Sequence, residues 1–298
     1  MPRLFSAYVI VDWSAASKPT TGADSIWIGV LKRDVRFRLA FESFNEPTRA
    51  QAEVRLNSIL ADFKKRSERA LVGFDFPLGF PRGFATQLKL PGEPWRAAWD
   101  ELGKRVVDKP TNVNNRFNVA AQLNRLLTDS AFPFWGAPPK DVQTTLSATK
   151  NRPHGPDDIP EFRHADLAAK GAASIWKTYY NGSVGGQAIM GIPLVRRLKA
   201  ARGEAAKVWP FETGFRPISE ADLAGVDVVF AEVFPSMTKG AALPGEVKDL
   251  TQVRTTAEHF ARLDEANKLG ELFGPAKSVA ADVVLAAEQE EGWILGAG

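Results

Sequence analysis

The stretch FSAYVIVDWSAASKP, residues 5–19, places four consecutive largely apolar residues, Tyr8 to Val11, directly before Asp12. An unbroken apolar run of this length is typical of a strand that is buried on both faces of a sheet. An isolated carboxylate at the end of such a strand costs several kcal/mol to bury. The sequence therefore predicts that Asp12 either pairs with another group of the protein or binds a ligand.

A second stretch, ALVGFDFPLGFP at residues 70–81, repeats the pattern and runs into Asp75 before Pro77 ends it. Between the two stretches, residues 25–33 and 35–44 alternate in polarity, which predicts an antiparallel hairpin.

A helix is predicted to follow the hairpin, because Thr48 and Gln51 have the spacing of a capping box and apolar residues recur at helical intervals. The order is therefore β-β-β-α-β. A crossover through this helix places the strand that ends in Asp75 parallel to the strand that ends in Asp12. We expect both carboxylates at the same edge of an α/β sheet, where ligands bind in open sheets of this class.

The rest of the chain predicts a mainly helical insertion over residues 82–205 and a core made of residues 1–81 and 206–298. The sheet is expected to resume at residues 206–212 and 226–236, the second of which contains Glu232. A final amphipathic helix is expected over residues 276–295, with Asp282 out of place on its apolar face.

Asp12, Asp75, Glu232 and Asp282 form the candidate acidic cluster. Clustered carboxylate oxygens suit Mg²⁺ or Mn²⁺. Two such ions, about 4 Å apart, activate a water and stabilise the leaving oxygen in phosphodiester cleavage. The sequence therefore predicts a divalent-metal site at the sheet edge.

Composition limits the other possibilities. The chain has no Cys, which excludes disulfides, thiolate metal sites and a Cys nucleophile. The net charge of +3 is mild and is compatible with a phosphate-bearing partner. The three His have no zinc-ligand spacing and there is no G-x-S-x-G. No apolar run approaches the roughly 18 residues of a membrane span, and a cytoplasmic location without membrane contact is expected.

Seven short motifs resemble the domain of unknown function 429 family, whose members are described as predicted nucleases of the ribonuclease H-like superfamily. The resemblance spans nearly the whole chain. The motifs are VDWSAAS (11–17), GFDFPLGFP (73–81), SVGGQAIMGIP (183–193), VWPFE (208–212), AEVFPS (231–236), KDLTQVR (248–254) and AADVVLAAE (280–288).

This resemblance implies a ribonuclease H-like mixed sheet and metal-dependent hydrolysis of phosphodiester bonds in a nucleic acid or nucleotide. It implies that Asp12, Asp75 and Asp282 are the metal ligands and catalytic acids, with Glu232 as a further catalytic acid. The large insertion and the lack of a His near the last acid depart from well-known ribonuclease H enzymes.

Five further residues are candidates for substrate binding. Ser14 and Lys18 follow the first strand and suit a phosphate contact, although a turn role explains them equally well. Gln187 follows two glycines that permit close approach to a ligand, or that simply join two helices. Lys248 and Arg254 face either the substrate or, as exposed helix charges usually do, the solvent.

Two other functions are compatible with the sequence. One is a non-catalytic binding module that keeps the fold and uses the insertion to hold a partner. The other is a nucleotide-binding phosphotransferase of the actin-like kind. Such kinases have two related halves with glycine-rich phosphate turns, and the sequence has one such half.

Overall fold

The computed structural model describes residues 3–34, 36, 38–238 and 240–298. The prediction of an α/β fold is confirmed, since these residues form a six-stranded mixed sheet and eight α-helices. The strands are β1 (Ala7–Asp12), β2 (Ile26–Arg33), β3 (Leu39–Glu46), β4 (Ala70–Phe74), β5 (Ala206–Val208) and β6 (Val228–Glu232). The helices are α1 (Arg49–Lys65), α2 (Phe84–Gln87), α3 (Pro94–Arg105), α4 (Arg116–Thr128), α5 (His164–Ala168), α6 (Gly185–Ala200), α7 (Lys248–Glu265) and α8 (Ala281–Ala286).

The strands lie in the order β3-β2-β1-β4-β6-β5. The predicted hairpin is confirmed: β2 pairs with β1 and β3 in antiparallel fashion. The third strand begins four residues later than expected, and residues 35 and 37 of the predicted range lie outside the described residues. The predicted crossover is confirmed as well, because β4 lies beside β1 in parallel, with Val11 opposite Phe74.

The capping residue predicted for α1 is also confirmed. Thr48 is the N-cap, and its Oγ1 accepts a hydrogen bond from the backbone N–H of Gln51 at 3.2 Å. The helix therefore begins soon after β3 and returns the chain to the start of β4. Its 17 residues are long enough for the crossover that a parallel strand requires.

Both faces of the sheet are buried. Val9 and Val11 pack toward α1, while Tyr8 and Ile10 on the same strand pack toward α7. This alternation gives three layers with the sheet in the middle. It also explains why β1 is uniformly apolar: there is no solvent face on which a polar residue would be favoured.

Most of residues 82–205 cover the α1 face of the sheet, whereas Ala165 and Ala169 belong to the hydrophobic cluster on the α7 face. Trp99 on α3, Leu123 on α4 and Ile189 on α6 belong to one hydrophobic cluster with Val9 of β1. These helices are separated by a long irregular stretch between α4 and α5. The segment therefore shares one hydrophobic core with the sheet. Each Å² of apolar surface buried between them contributes about 25 cal/mol to stability.

The expected long C-terminal helix is wrong in its extent. Helix α8 has six residues and passes into a π-helical turn at Ala287–Glu291. The reason is that Glu290 and Glu291 are buried: Glu290 accepts the N–H groups of Gly83 and Ala85, and Glu291 accepts that of Arg82. Satisfying these three donors fixes the two carboxylates and ends the regular helix.

Asp264, near the end of α7, holds the start of β1. It accepts the N–H groups of Leu4 and Phe5 at 2.9 Å and the hydroxyl of Tyr8 at 2.7 Å. Burial and this carboxylate raise the pKa of the Tyr8 hydroxyl above its ordinary range. The entry of the central strand is therefore fixed by a side chain about 260 residues away in sequence.

Within the described part of the chain, no helix combines the length and the apolar character that a bilayer crossing demands.

Two glycines on neighbouring helices provide a matched test of this packing. A Cβ at Gly191 on α6 would lie 2.2 Å from the ring of buried Phe76, whereas a Cβ at Gly103 on α3 would meet Arg196 at an ordinary 3.5 Å. We expect Gly191→Ala to lower the free energy of unfolding by about 1–3 kcal/mol through overpacking. Gly103→Ala should raise it by about 0.5–1 kcal/mol through helix propensity.

Urea unfolding of the two variants and the wild type measures both changes. Equal effects of the same sign would contradict the close packing of α6 against Phe76.

Candidate functional site

The parallel register of β1 and β4 brings Asp12 and Asp75 together. Asp12 is the last residue of β1, and Asp75 directly follows β4. The two side chains are close enough for each to act directly on the pKa of the other. The backbone N–H of Trp13 donates to Asp75 Oδ1 at 2.8 Å and fixes its orientation. The juxtaposition expected from the sequence is thus present.

The pair carries an uncompensated negative charge. Burial, followed by the charge of Asp75, raises the pKa of Asp12 well above its usual range. Burial also raises the pKa of Asp75, to about 7. The other charged groups that act most strongly on Asp12 are two more carboxylates, Asp249 and Asp24. At neutral pH the pair therefore retains a proton, or it takes up a cation in its place.

These carboxylates face a broad, open cleft of about 1080 Å³. Asp24 and Asp249 join the pair in lining it, and the N–H of Asp24 donates to Asp249 Oδ2 at 2.7 Å. Asp249 lies in the first turn of α7. Two cationic residues, Lys248 and Arg116, also line the cleft. Four acids and two bases give this surface a net negative charge, which favours a cationic ligand.

The turn after β1 forms one wall. Ser14 lines the cleft, and its Oγ accepts the N–H of Ala16 at 3.2 Å. Arg49 of α1 donates to the carbonyls of Ser14 and Ala16 and is itself paired with Asp108. The turn is therefore held rigidly, with the Ser14 hydroxyl at the cleft.

Two of the other predicted substrate-binding residues lie in the cleft and two lie outside it. Gln187 and Lys248 line the cleft, and Gln187 Nε2 donates to the carbonyl of Trp13 at 2.6 Å. Lys18 is exposed and is not among the lining residues, although its carbonyl accepts from Asn112. The turn directs its backbone inward and leaves its side chain outside.

Arg254 also lies elsewhere. It is buried, and its guanidinium forms two hydrogen bonds with Glu246, contacts Glu258 and donates to the carbonyl of Ala241. These partners anchor the loop before α7. The arrangement gives Arg254 a structural role, because its donors are already used within the protein.

Glu232 is the buried end of β6, as the sequence indicated, but it forms an ion pair. Its Oε1 and Oε2 each accept a hydrogen bond from Arg163, at 2.6 and 2.7 Å, and Oε2 also accepts the N–H of Leu78. It borders a smaller cleft of about 350 Å³ that shares Asp75 with the larger one. Since both oxygens are paired, this arrangement does not offer Glu232 as a partner for the acids at Asp12.

Asp282 does not lie on a buried face, so that expectation is wrong. It is exposed in the first turn of the short helix α8 and does not line the cleft. An acid at this position is favoured by the helix dipole alone. The third carboxylate near the pair is instead Asp249, on α7.

Two charged residues of the cleft are not among the candidates that the sequence indicates. Asp249 stands in the motif KDLTQVR, beside the candidate Lys248. Arg116 belongs to none of the seven motifs. Only the contact of α7 with β1 and β2, and that of α4 with α6, brings them to the sheet edge.

Among the described residues, no group of three or more His, Cys, Asp or Glu side chains is arranged to hold a metal ion. The candidate site is thus a two-carboxylate pair with neighbouring acids. Comparisons with protein-family models, with curated proteins and with solved structures found no match.

The ion pair of Glu232 gives a stability prediction. Glu232→Gln keeps Asp166 as the counter-ion of buried Arg163 but replaces the charge-assisted hydrogen bonds at Glu232 with a neutral amide, so we expect the free energy of unfolding to fall by about 1.5–3 kcal/mol. The exposed control, Asp282→Asn, should change it by less than about 0.5 kcal/mol. Urea unfolding measures both, and an unaffected Glu232→Gln variant would rule out the structural role.

The raised pKa values of the pair predict a pH dependence. In the absence of divalent metal, the folded protein holds a proton that the unfolded chain releases above about pH 4, so stability should fall as pH rises. Asp12→Asn removes this penalty. We expect it to gain about 1 kcal/mol or more over the wild type between about pH 5 and pH 8. Urea unfolding in a chelator measures the difference, and a gain that is constant with pH would contradict a shared proton.

Proposed function

We propose that this protein is a divalent-metal-dependent hydrolase that cleaves phosphodiester bonds, with Asp12 and Asp75 at its centre. The observation that carries the proposal is the carboxylate pair itself. It lies at the carboxyl ends of adjacent parallel strands, faces an open cleft, and has acids as its strongest charged neighbours. Ligands of open α/β sheets bind at this position.

The donor set fits Mg²⁺ or Mn²⁺. Mg²⁺ is usually held by one or two carboxylates and keeps several waters or substrate oxygens. Asp12 and Asp75 supply the two carboxylates, and the width of the cleft leaves room for the other ligands. Asp249 lines the same cleft and adds to its negative charge, without completing a three-carboxylate metal site with the pair. The order of the strands, with three antiparallel strands followed by parallel ones, also agrees with the ribonuclease H-like resemblance.

Different residues of the cleft would bind the cation, orient its ligands and attract the substrate. A bound divalent cation would supply activation of a water and neutralisation of the leaving oxygen. Asp12 and Asp75 would hold it and release their shared proton on binding. The N–H of Trp13 keeps Asp75 oriented, and Gln187 is fixed through the carbonyl of Trp13. Lys248, at the mouth of the cleft, would attract a polyanionic substrate.

Two tyrosines favour a substrate that bears nucleobases. Tyr179 and Tyr180 line the same cleft, with ring centroids 4.6 Å apart and both rings partly exposed. Exposed aromatic rings beside a phosphate-cleaving site provide a surface on which bases stack, at about 1–3 kcal/mol per base. A nucleotide or a single-stranded nucleic acid therefore fits the cleft better than a simple phosphate ester.

The test combines metal binding and activity. We expect Asp12→Asn and Asp75→Asn to abolish Mg²⁺ and Mn²⁺ binding in calorimetry. Hydrolysis of single-stranded oligonucleotides and dinucleotides should fall by at least about 100-fold in each variant. Proton release, measured in two buffers of different ionisation enthalpy, should accompany binding by the wild type.

Asp282→Asn is the matched control, because this acid is exposed and outside the cleft. It should bind metal and substrate as the wild type does. Full activity of folded Asp12→Asn, or no metal binding by the wild type even with an oligonucleotide present, would overturn the proposal.

A further inference from the structure

Four arginines are buried in the described part of the chain: Arg49, Arg116, Arg163 and Arg254. Three of them are paired with carboxylates. Arg49 forms an ion pair with Asp108, Arg163 with Asp166 and Glu232, and Arg254 with Glu246 and Glu258. Arg116 forms no such pair with any described residue, although 94% of its surface is buried (6% exposed).

Neutral groups satisfy only part of the Arg116 guanidinium. Its Nη1 donates to Ser17 Oγ at 2.8 Å and to Asn114 Oδ1 at 3.0 Å. The guanidinium also lies 4.2 Å from the ring centroid of Phe117. Its Nε is buried and has no hydrogen-bond partner. A buried guanidinium requires an anion or full hydrogen bonding to offset its lost hydration, and this one has neither.

The surroundings of Arg116 disfavour its positive charge further. Burial, together with the charge of Arg49, lowers the pKa of Arg116 to about 10, and the carboxylate of Asp141, which forms no ion pair with Arg116, opposes this shift only in part. The residue still carries its full charge at neutral pH. Two guanidiniums therefore act on the turn at Ser14–Ser17, and only Arg49 has a counter-ion.

The side chain faces the cleft at the start of a long helix. Arg116 lines the cleft together with Gly186 and Gln187, in the first turn of the 16-residue helix α6. A Cβ at Gly186 would lie 3.5 Å from Arg116 Cδ, so the two residues are in close contact. Val184, the N-cap of α6, provides no capping side chain. The N–H of Gly185 already donates to the carbonyl of Lys177 at 2.9 Å, so the N–H groups of Gly186 and Gln187 are the ones that the helix dipole offers to an anion.

We propose that Arg116 and the N-terminus of α6 form an anion site in the cleft, and that this site holds a phosphate group of the substrate. A guanidinium fork and a helix N-terminus are both suited to phosphate oxygens. The identification of the anion as a substrate phosphate rests on the proposed function, whereas the anion site stands on Arg116 alone. The site separates phosphate binding from the carboxylate pair, which repels anions.

The test uses inorganic phosphate as the probe, with the metal-free protein in a chelator at pH 7.5. We expect phosphate to raise the melting temperature of the wild type and to bind in calorimetry. Arg116→Gln should weaken that binding by about tenfold or more, and Arg116→Lys, which keeps the charge but loses the fork, by a smaller factor. Lys18→Gln is the control for a general loss of positive charge near the cleft, because Lys18 is exposed and does not line it, and this variant should retain most of the binding.

A stability measurement separates this role from a structural one. Without phosphate, Arg116→Gln should be as stable as the wild type or more so, because it removes an unpaired buried charge. A strong loss of stability in Arg116→Gln and Arg116→Lys alike, without any phosphate effect on the wild type, would overturn the proposal. Equal stabilisation of wild type and Arg116→Gln by phosphate would overturn it too.

The Asp12→Asn variant distinguishes this inference from the proposed function. It should lose metal binding and keep phosphate binding. If the wild type binds phosphate through Arg116 but binds no divalent metal, the hydrolase proposal fails and the anion site stands. If the wild type binds divalent metal but does not bind phosphate, the anion site fails and the hydrolase proposal stands.

The source of the phosphate is tested with short oligothymidylates that carry either a 5′-hydroxyl or a 5′-phosphate. Tighter binding of the phosphorylated form, lost in Arg116→Gln, assigns the site to a terminal phosphate. Equal binding of both forms, weakened equally by Arg116→Gln, assigns it to a backbone phosphate.

Discussion

The parallel pairing of β1 with β4 is the constraint on which the rest of the site depends. Once Val11 lies opposite Phe74, the next residues of both strands are carboxylates, and the backbone spacing of a sheet holds them at contact distance. The sheet cannot relieve this repulsion without losing its register. The surrounding elements therefore either supply donors, as Trp13 does for Asp75, or leave the charge to a ligand.

Elsewhere the fold satisfies its buried charged groups within the chain, by ion pairs or, as at Asp264 and Glu290, by backbone N–H donors. Glu232 at the end of β6 occupies a position comparable to that of Asp75, one strand further along the sheet, yet it is fully paired with Arg163. Arg49 is similarly balanced by Asp108. Against this background the unpaired acids at Asp12 and Asp75 and the unpaired cation at Arg116 stand out as exceptions, and all three lie in one cleft. Buried groups that violate local electrostatic balance cluster at functional sites.

The sequence was sufficient for the central sheet because its signals are local. Apolar runs define β1 and β4, the hairpin of β2 and β3 follows β1, and α1 returns the chain from β3 to β4, so the meeting of Asp12 with Asp75 is expected from the order of the elements. The acids and bases on later elements were harder to place. Whether Glu232 or Arg254 faces a ligand depends on which partner the fold brings to it, and the partner of Glu232 is 69 residues away. Asp282 was misplaced because apolar neighbours suggested a buried helix, whereas buried Glu290 and Glu291 end that helix early.

The anchoring of β1 by Asp264 has a consequence for biosynthesis. During synthesis, β1 precedes its β4 neighbour by about 60 residues and the carboxylate that fixes its entry by about 260 residues. The N–H groups of Leu4 and Phe5, just before this apolar strand, are therefore satisfied only after those 260 residues have been made. Chains interrupted before α7 would expose that strand, and at typical synthesis rates of about 5–20 residues per second the exposure lasts tens of seconds.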